Sequence, residues 1–186
     1  MPRAVNLVIV CEDILQETFV RAFLRRRGFN RHQLRFPLRP SGGDAKQHVC
    51  HCLCKELRVL RKSHRVAAGV IYVVDADNKT VEERRQFVET ALRNNGVEPP
   101  SENEPVFGII PKWEIENWLE FLRVGQADED RNTYNKYRGH ESDIYRLVEG
   151  LADQCVNRTL SNPPPSLESA CTVYSNFFEW KNRVLN

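Results

Sequence analysis

Two apolar, β-branched runs, each ending abruptly in carboxylates and each joined to an amphipathic segment, constrain this chain more than any other feature. Residues 5–11 (VNLVIVC) run straight into Glu12 and Asp13, and residues 68–74 (AGVIYVV) into Asp75-Ala76-Asp77. A strand that is apolar at nearly every position has both faces covered, which is the habit of parallel sheets. Behind the first run, Ile14, Leu15, Phe19, Phe23 and Leu24 fall near helical spacing. Gly28 reads as the stop of that helix, and Arg25, Arg26 and Arg27 sit where cations suit its negative end. Residues 45–63 repeat the helical pattern with Val49, Leu53, Leu57 and Leu60. After the second run, Thr80 and Glu83 have capping-box spacing, and Gly96 ends the helix they open.

Two further strands complete the alternation, at residues 32–36 and at 106–110 (VFGII), the latter halted by Pro111 and followed by a helix over 113–122. Strand and helix alternating for some 120 residues predict an α/β fold. Its centre is a doubly wound, mostly parallel sheet of about four strands with helices on both faces. Residues 125–139 read as a polar loop, 141–155 as a helix, 162–165 (NPPP) as a rigid spacer and Ser166 onward as a last helix. The division expected is an α/β domain over 1–124 and a helical extension over 125–186 packed on it. Tyr174, Phe177, Phe178 and Trp180 read as a helix face laid on the sheet.

With 186 residues, 41% of them hydrophobic, the chain has enough material for one compact core. Runs of 18 or more apolar residues are absent and the first residues lack a secretory layout, so the expectation is a soluble, cytoplasmic protein without a membrane span. The six cysteines do not make a disulfide-scaffold composition and are expected to be reduced thiols. Charge is uneven: residues 1–65 carry 14 Lys/Arg against 5 Asp/Glu, and the remainder 13 against 20. A basic third beside an acidic remainder suggests a surface that attracts polyanions next to one that repels them or holds cations.

In an open parallel sheet, ligands bind outside the carboxyl ends of the strands. Three of those ends carry acids here: Glu12 and Asp13, then Asp75 and Asp77, then Glu114 and Glu116. If strand geometry persisted through Asp75-Ala76-Asp77, both carboxylates would face one side and Ala76 the other. Converging carboxylates are relieved by protonation or by a divalent cation, and hard oxygen donors without His or Cys suit Mg²⁺ or Mn²⁺.

Glutamate after a first strand in VIVCED, an Asp-x-Asp after a later one in IYVVDAD, and IIPKWEIENWLEF together resemble the TOPRIM family. The likeness is to its small members from bacterial defence loci, the OLD-type and RloB-like nucleases, and spans residues 5–122. The resemblance implies a Mg²⁺- or Mn²⁺-dependent nuclease cleaving DNA or RNA in antiphage defence, with an ATPase as partner subunit and self-association left open. By position, Glu12 becomes the general acid/base or metal ligand, Asp75 and Asp77 the metal pair, and Glu116, with Glu114, the further acids. Family members often have a glycine after the first glutamate, where this chain has Asp13. A catalytically inactive TOPRIM-like scaffold or sensor that binds a partner protein is the alternative.

Among the basic residues, Arg25, Arg26, Arg35, Arg39 and Lys46, with Arg21, Arg58, Arg61, Lys62 and Arg65, are candidates for a nucleic-acid track that would bind phosphates without sequence choice. A receiver-domain reading of the first residues fails because the Lys-Pro after a fifth strand is missing. A phosphatase reading of Asp75-Ala76-Asp77 fails because Asn78-Lys79 stands where Gly-Thr is needed. His48, Cys50, His51, Cys52 and Cys54 lack a Cys-x-x-Cys pair and read as helix interior rather than a zinc site. Ser41-Gly42-Gly43-Asp44 reads as a turn without the Gly-Lys-Ser/Thr of a phosphate loop.

Overall fold

The computed structural model describes residues 5–39, 42–62 and 68–185; Arg65 of the basic track and Ser41 of the glycine turn lie outside them. Four strands form one all-parallel sheet: β1 (Asn6–Val10), β2 (Leu34–Arg35), β3 (Ala68–Val73) and β4 (Val106–Ile109). They lie side by side in the order β2-β1-β3-β4. The helices are α1 (Ile14–Arg26), α2 (Ala45–Lys62), α3 (Val81–Asn94), α4 (Ile115–Val124), α5 (Glu141–Asn157) and α6 (Pro165–Leu185).

Strand parity builds two cores. Leu7, Ile9, Cys11, Ile71, Val73 and Ile109 face one side, where α1, α4, α5 and α6 pack. Val10, Val70, Tyr72, Val74 and Ile110 face the other, against Val49, Leu53 and Leu57 of α2 and Val88 and Leu92 of α3. The apolar runs are thus buried on both faces for the reason that parallel sheets demand. The second helical layer also explains the cysteines of α2: Cys50, Cys52 and Cys54 are buried beside Val49 and Leu53, as small core residues. Gly108 is required on β4, because a Cβ there would come within 2.3 Å of the Tyr72 hydroxyl on the adjacent strand.

The local signals behave as their chemistry dictates. Thr80 and Glu83 form a reciprocal capping box at the start of α3. Gly28 and Gly96 take left-handed backbone just past α1 and α3. Differences arise where tertiary pairing intervenes. The stretch 32–36 begins inside a 3-10 turn (Arg31–Gln33), and only the two residues of β2 pair with β1. The helix after β4 starts at Ile115 rather than 113, since Trp113 sends its indole N–H to the Glu129 carbonyl and stays in the approach.

The carboxy-terminal helices share the core of α1 and β1: Ile144, Val148 and Leu151 of α5 and Tyr174 and Phe177 of α6 are buried in it. Phe23 stacks on Tyr174 at 3.9 Å between centroids, and Phe177 meets Phe107 of β4 edge-on, so the aromatic group is a packing face. Cys155 of α5 and Cys171 of α6 form a disulfide, correcting the expectation that all six thiols are reduced. Spacing of 16 residues across a proline-rich turn gave no sign that helix packing would bring the two together. Among the described residues, no helix is long and apolar enough to cross a membrane.

Candidate functional site

Because β1 and β3 are neighbours while their connections leave in opposite directions, the crevice beyond their carboxyl ends is the topological switch point of the sheet. Glu12 leaves β1 there and Asp75 leaves β3. The Asp75 N–H donates to Glu12 Oε1 at 2.6 Å, locking the two strand ends together. Gln16 accepts from the Glu12 N–H at 2.9 Å, and Asp13 caps α1 by accepting from the Gln16 N–H at 2.8 Å. Asp13 is therefore the helix cap and Glu12 the residue turned into the crevice.

Asp75 is buried, and its Oδ1 has no hydrogen-bond partner. Burial, reinforced by the Glu12 carboxylate and then Asp13, Glu114 and Asp77, pushes its carboxyl up to about 9. Burial also raises Glu12, although the Asp75 N–H and Lys46 oppose it, and burial raises Glu116. The strand does not persist through Asp77, whose backbone is left-handed at φ 54°. The expected alternation of Asp75 and Asp77 along one face is replaced by a turn. Asp77 is half-exposed, with Arg84 donating to its Oδ2 at 3.3 Å and Lys112 to its carbonyl at 2.9 Å.

Lys46, assigned by sequence to the nucleic-acid track, is instead central to the crevice. Its ammonium reaches Glu12 Oε2 at 3.2 Å and Asp77 Oδ2 at 2.9 Å. Burial opposes its charge, yet hydrogen bonds and attraction from Asp77 and Glu12 leave its pKa raised. Glu114 and Glu116 open α4 on the far side of the crevice and are joined by Lys136, which binds Glu114 closely and stands 3.7 Å from Glu116. Behind them, Ser166 fastens the wall. It accepts from the Trp118 indole at 2.9 Å and the Lys112 N–H at 3.1 Å, and it donates its hydroxyl to Glu129.

Four other residues of the track are engaged elsewhere. Arg26 forks onto Asp153 of α5, Arg35 pairs with Glu56, Arg39 with Glu17, and Arg25 lies over the Tyr145 ring. Lys112, Arg84, Glu129 and Lys136 were missed by sequence reasoning. Lys112 carried a signal, since it follows the strand-stopping Pro111; Lys136 and Glu129 sit in a polar loop with none.

The donors of this crevice are hard oxygens, and the unpartnered Asp75 Oδ1 is a free donor aimed at no protein group, which fits a magnesium-type ion. As placed, however, no three acid, histidine or cysteine side chains among the described residues stand together as a ready metal cage. The Lys46 ammonium already lies between Glu12 and Asp77. Fold and site together define a four-stranded parallel α/β protein with a carboxylate crevice at its switch point. Compared with known proteins, the chain matches no family model, no curated relative and no solved structure.

Proposed function

We propose that this chain is a metal-dependent nuclease of TOPRIM type that cleaves phosphodiester bonds in DNA or RNA, acting in antiphage defence beside an ATPase subunit. One observation carries the reading: Glu12 and Asp75 meet at the switch point, with a buried Asp75 oxygen left without a partner. Mg²⁺ or Mn²⁺ held by Asp75 and Asp77, with Glu12, would neutralise phosphate charge and lower the pKa of a bound water.

The chain's own groups have definable parts. Asp75 must lose its proton when a cation enters, so loading is favoured at higher pH. Glu12 is oriented through Oε1 by the Asp75 N–H, and its other oxygen is the one that faces Lys46. On its flexible stem, Lys46 exchanges carboxylate contacts for a substrate phosphate. Glu116, whose carboxyl is raised by burial, is suited to hand a proton to a leaving oxygen.

The alternative, an inactive scaffold or sensor binding a partner protein, is favoured by a different observation. Lys46 already joins Glu12 to Asp77, and Arg84 pairs with Asp77 from behind, so these two carboxylates are countered by cations within the chain. Cleavage of labelled single- and double-stranded DNA and structured RNA with Mg²⁺ or Mn²⁺, comparing wild type with Glu12→Ala, decides between them. Metal-dependent cutting lost in the variant supports the nuclease. Absence of cutting together with absence of metal binding, in a folded protein, supports the scaffold.

A further inference from the structure

A cleft of about 870 Å³ opens beside the acid crevice, between α4, α5 and the segment 135–139, and shares Glu116 and Lys136 with it. Four cations from three stretches of chain line it: Arg123, Lys136, Arg138 and Arg146. All four reach solvent, with Lys136 also held by Glu114. The side chains of Arg123, Lys136 and Arg146 are 61%, 62% and 81% exposed. Among the described residues, Arg123 pairs only with Glu120 and Arg146 only with Asp143, acids one turn away on their own helices that also line the cleft, at 3.9 and 3.0 Å. Such pairs are weak and exchange readily for phosphate. Arg138 takes part in no ion pair among the described residues.

The loop wall is held in place. Tyr137 donates its hydroxyl to the His140 carbonyl at 2.8 Å, and the Asn135 backbone and side-chain N–H groups both donate to Glu120, at 3.3 and 3.1 Å. Gly139 permits this packing, since a Cβ there would lie 2.4 Å from the Tyr137 hydroxyl. The cleft thus presents a half-buried aromatic ring, held through its hydroxyl, among exposed cations, the combination that binds single strands by stacking and phosphate contact.

We infer that this cleft, and not the arginines of the first third, is the track for a single-stranded nucleic-acid segment leading to the acid crevice. The inference rests on the nuclease reading above. Phosphates are met by Lys136, Arg138, Arg123 and Arg146, and a base by Tyr137. An acidic peptide would satisfy the cations but leave the ring unused.

The test separates binding from cleavage. Affinity of the full chain for a labelled single-stranded oligonucleotide is measured by fluorescence anisotropy in EDTA across a salt series, for wild type, Arg138→Gln with Arg146→Gln, and Arg26→Gln with Arg35→Gln. Losing two single-strand phosphate contacts should flatten the slope of log affinity against log salt by about 1.4 in the first variant. The second pair, being engaged with Asp153 and Glu56, should leave it unchanged. Unfolding midpoints check that both variants fold, as the exposure of Arg138 and Arg146 predicts. Wild-type binding with an unaltered slope in the Arg138/Arg146 variant overturns the track while leaving the acid crevice as proposed. Failure of wild type to bind any nucleic acid overturns both. Equal competition by polyglutamate at matched charge overturns the inference in favour of a protein partner.

Discussion

The buried carboxyl of Asp75 makes a demanding prediction. At 5% exposure and with Oδ1 unpartnered, this group is pushed up to about 9, chiefly by burial and then by Glu12. An acid whose folded pKa is raised keeps its proton where the unfolded chain has released it. The stability it permits is complete below the ordinary carboxyl range and is lost as pH rises toward the folded pKa. Within that window the slope is about 1.4 kcal/mol per pH unit, which comes to about 3 kcal/mol between roughly pH 6 and pH 8. For a chain of this size the loss corresponds to roughly 6–12 °C in Tm. Asp75→Asn keeps the shape and removes the proton, so its stability should lack this component, while the contributions of Glu12 and Glu116 remain in both proteins. Urea or thermal unfolding in EDTA across the pH range gives the difference directly, with the variant becoming progressively the more stable of the two. Parallel profiles, or wild type gaining on the variant as pH rises, would refute the argument from burial. Repeating the series with Mg²⁺ should flatten the wild-type profile, because an ion bound at Asp75 replaces the proton.

Two other predictions probe the walls of the crevice. Lys46→Met removes the ammonium between Glu12 and Asp77, so Mn²⁺ titrated calorimetrically should bind more tightly than to wild type; weaker binding would show that Lys46 organises the acids rather than competing with a cation. Ser166→Ala strips the shared partner of Trp118, Lys112 and Glu129 and should cost about 1–3 kcal/mol in chemical denaturation, with an unaltered midpoint counting against its role as a fastening point.

The switch-point acids were legible because a carboxylate directly after a doubly buried strand has one place to go, the carboxyl edge of the sheet. Glu12 and Asp75 needed no knowledge of the neighbours to be singled out. The basic track was a different matter. Charge counts along a chain record how many cations there are, not which carboxylate each one meets. Arg26 found Asp153, 127 residues away, and Lys46 turned into the crevice. Lys136, Arg138 and Arg146 lie in the acidic part of the chain and carried no local mark of a shared cleft.

By itself the sequence determined what depends on neighbours within a turn or a strand's length. Apolar runs made buried parallel strands, the Thr80–Glu83 pair started α3, Gly28 and Gly96 stopped helices, and acids stood at three strand ends. Only the tertiary structure decided the order β2-β1-β3-β4, the Glu12–Asp75 contact, the position of Lys46, the Cys155–Cys171 bond and the cleft beneath α4. The reason is one of range. Backbone sterics, capping and side-chain periodicity act over a few residues and are written in the local pattern. Contacts between distant segments depend on which packing buries the most apolar surface with its polar groups partnered, and that is a property of the whole chain.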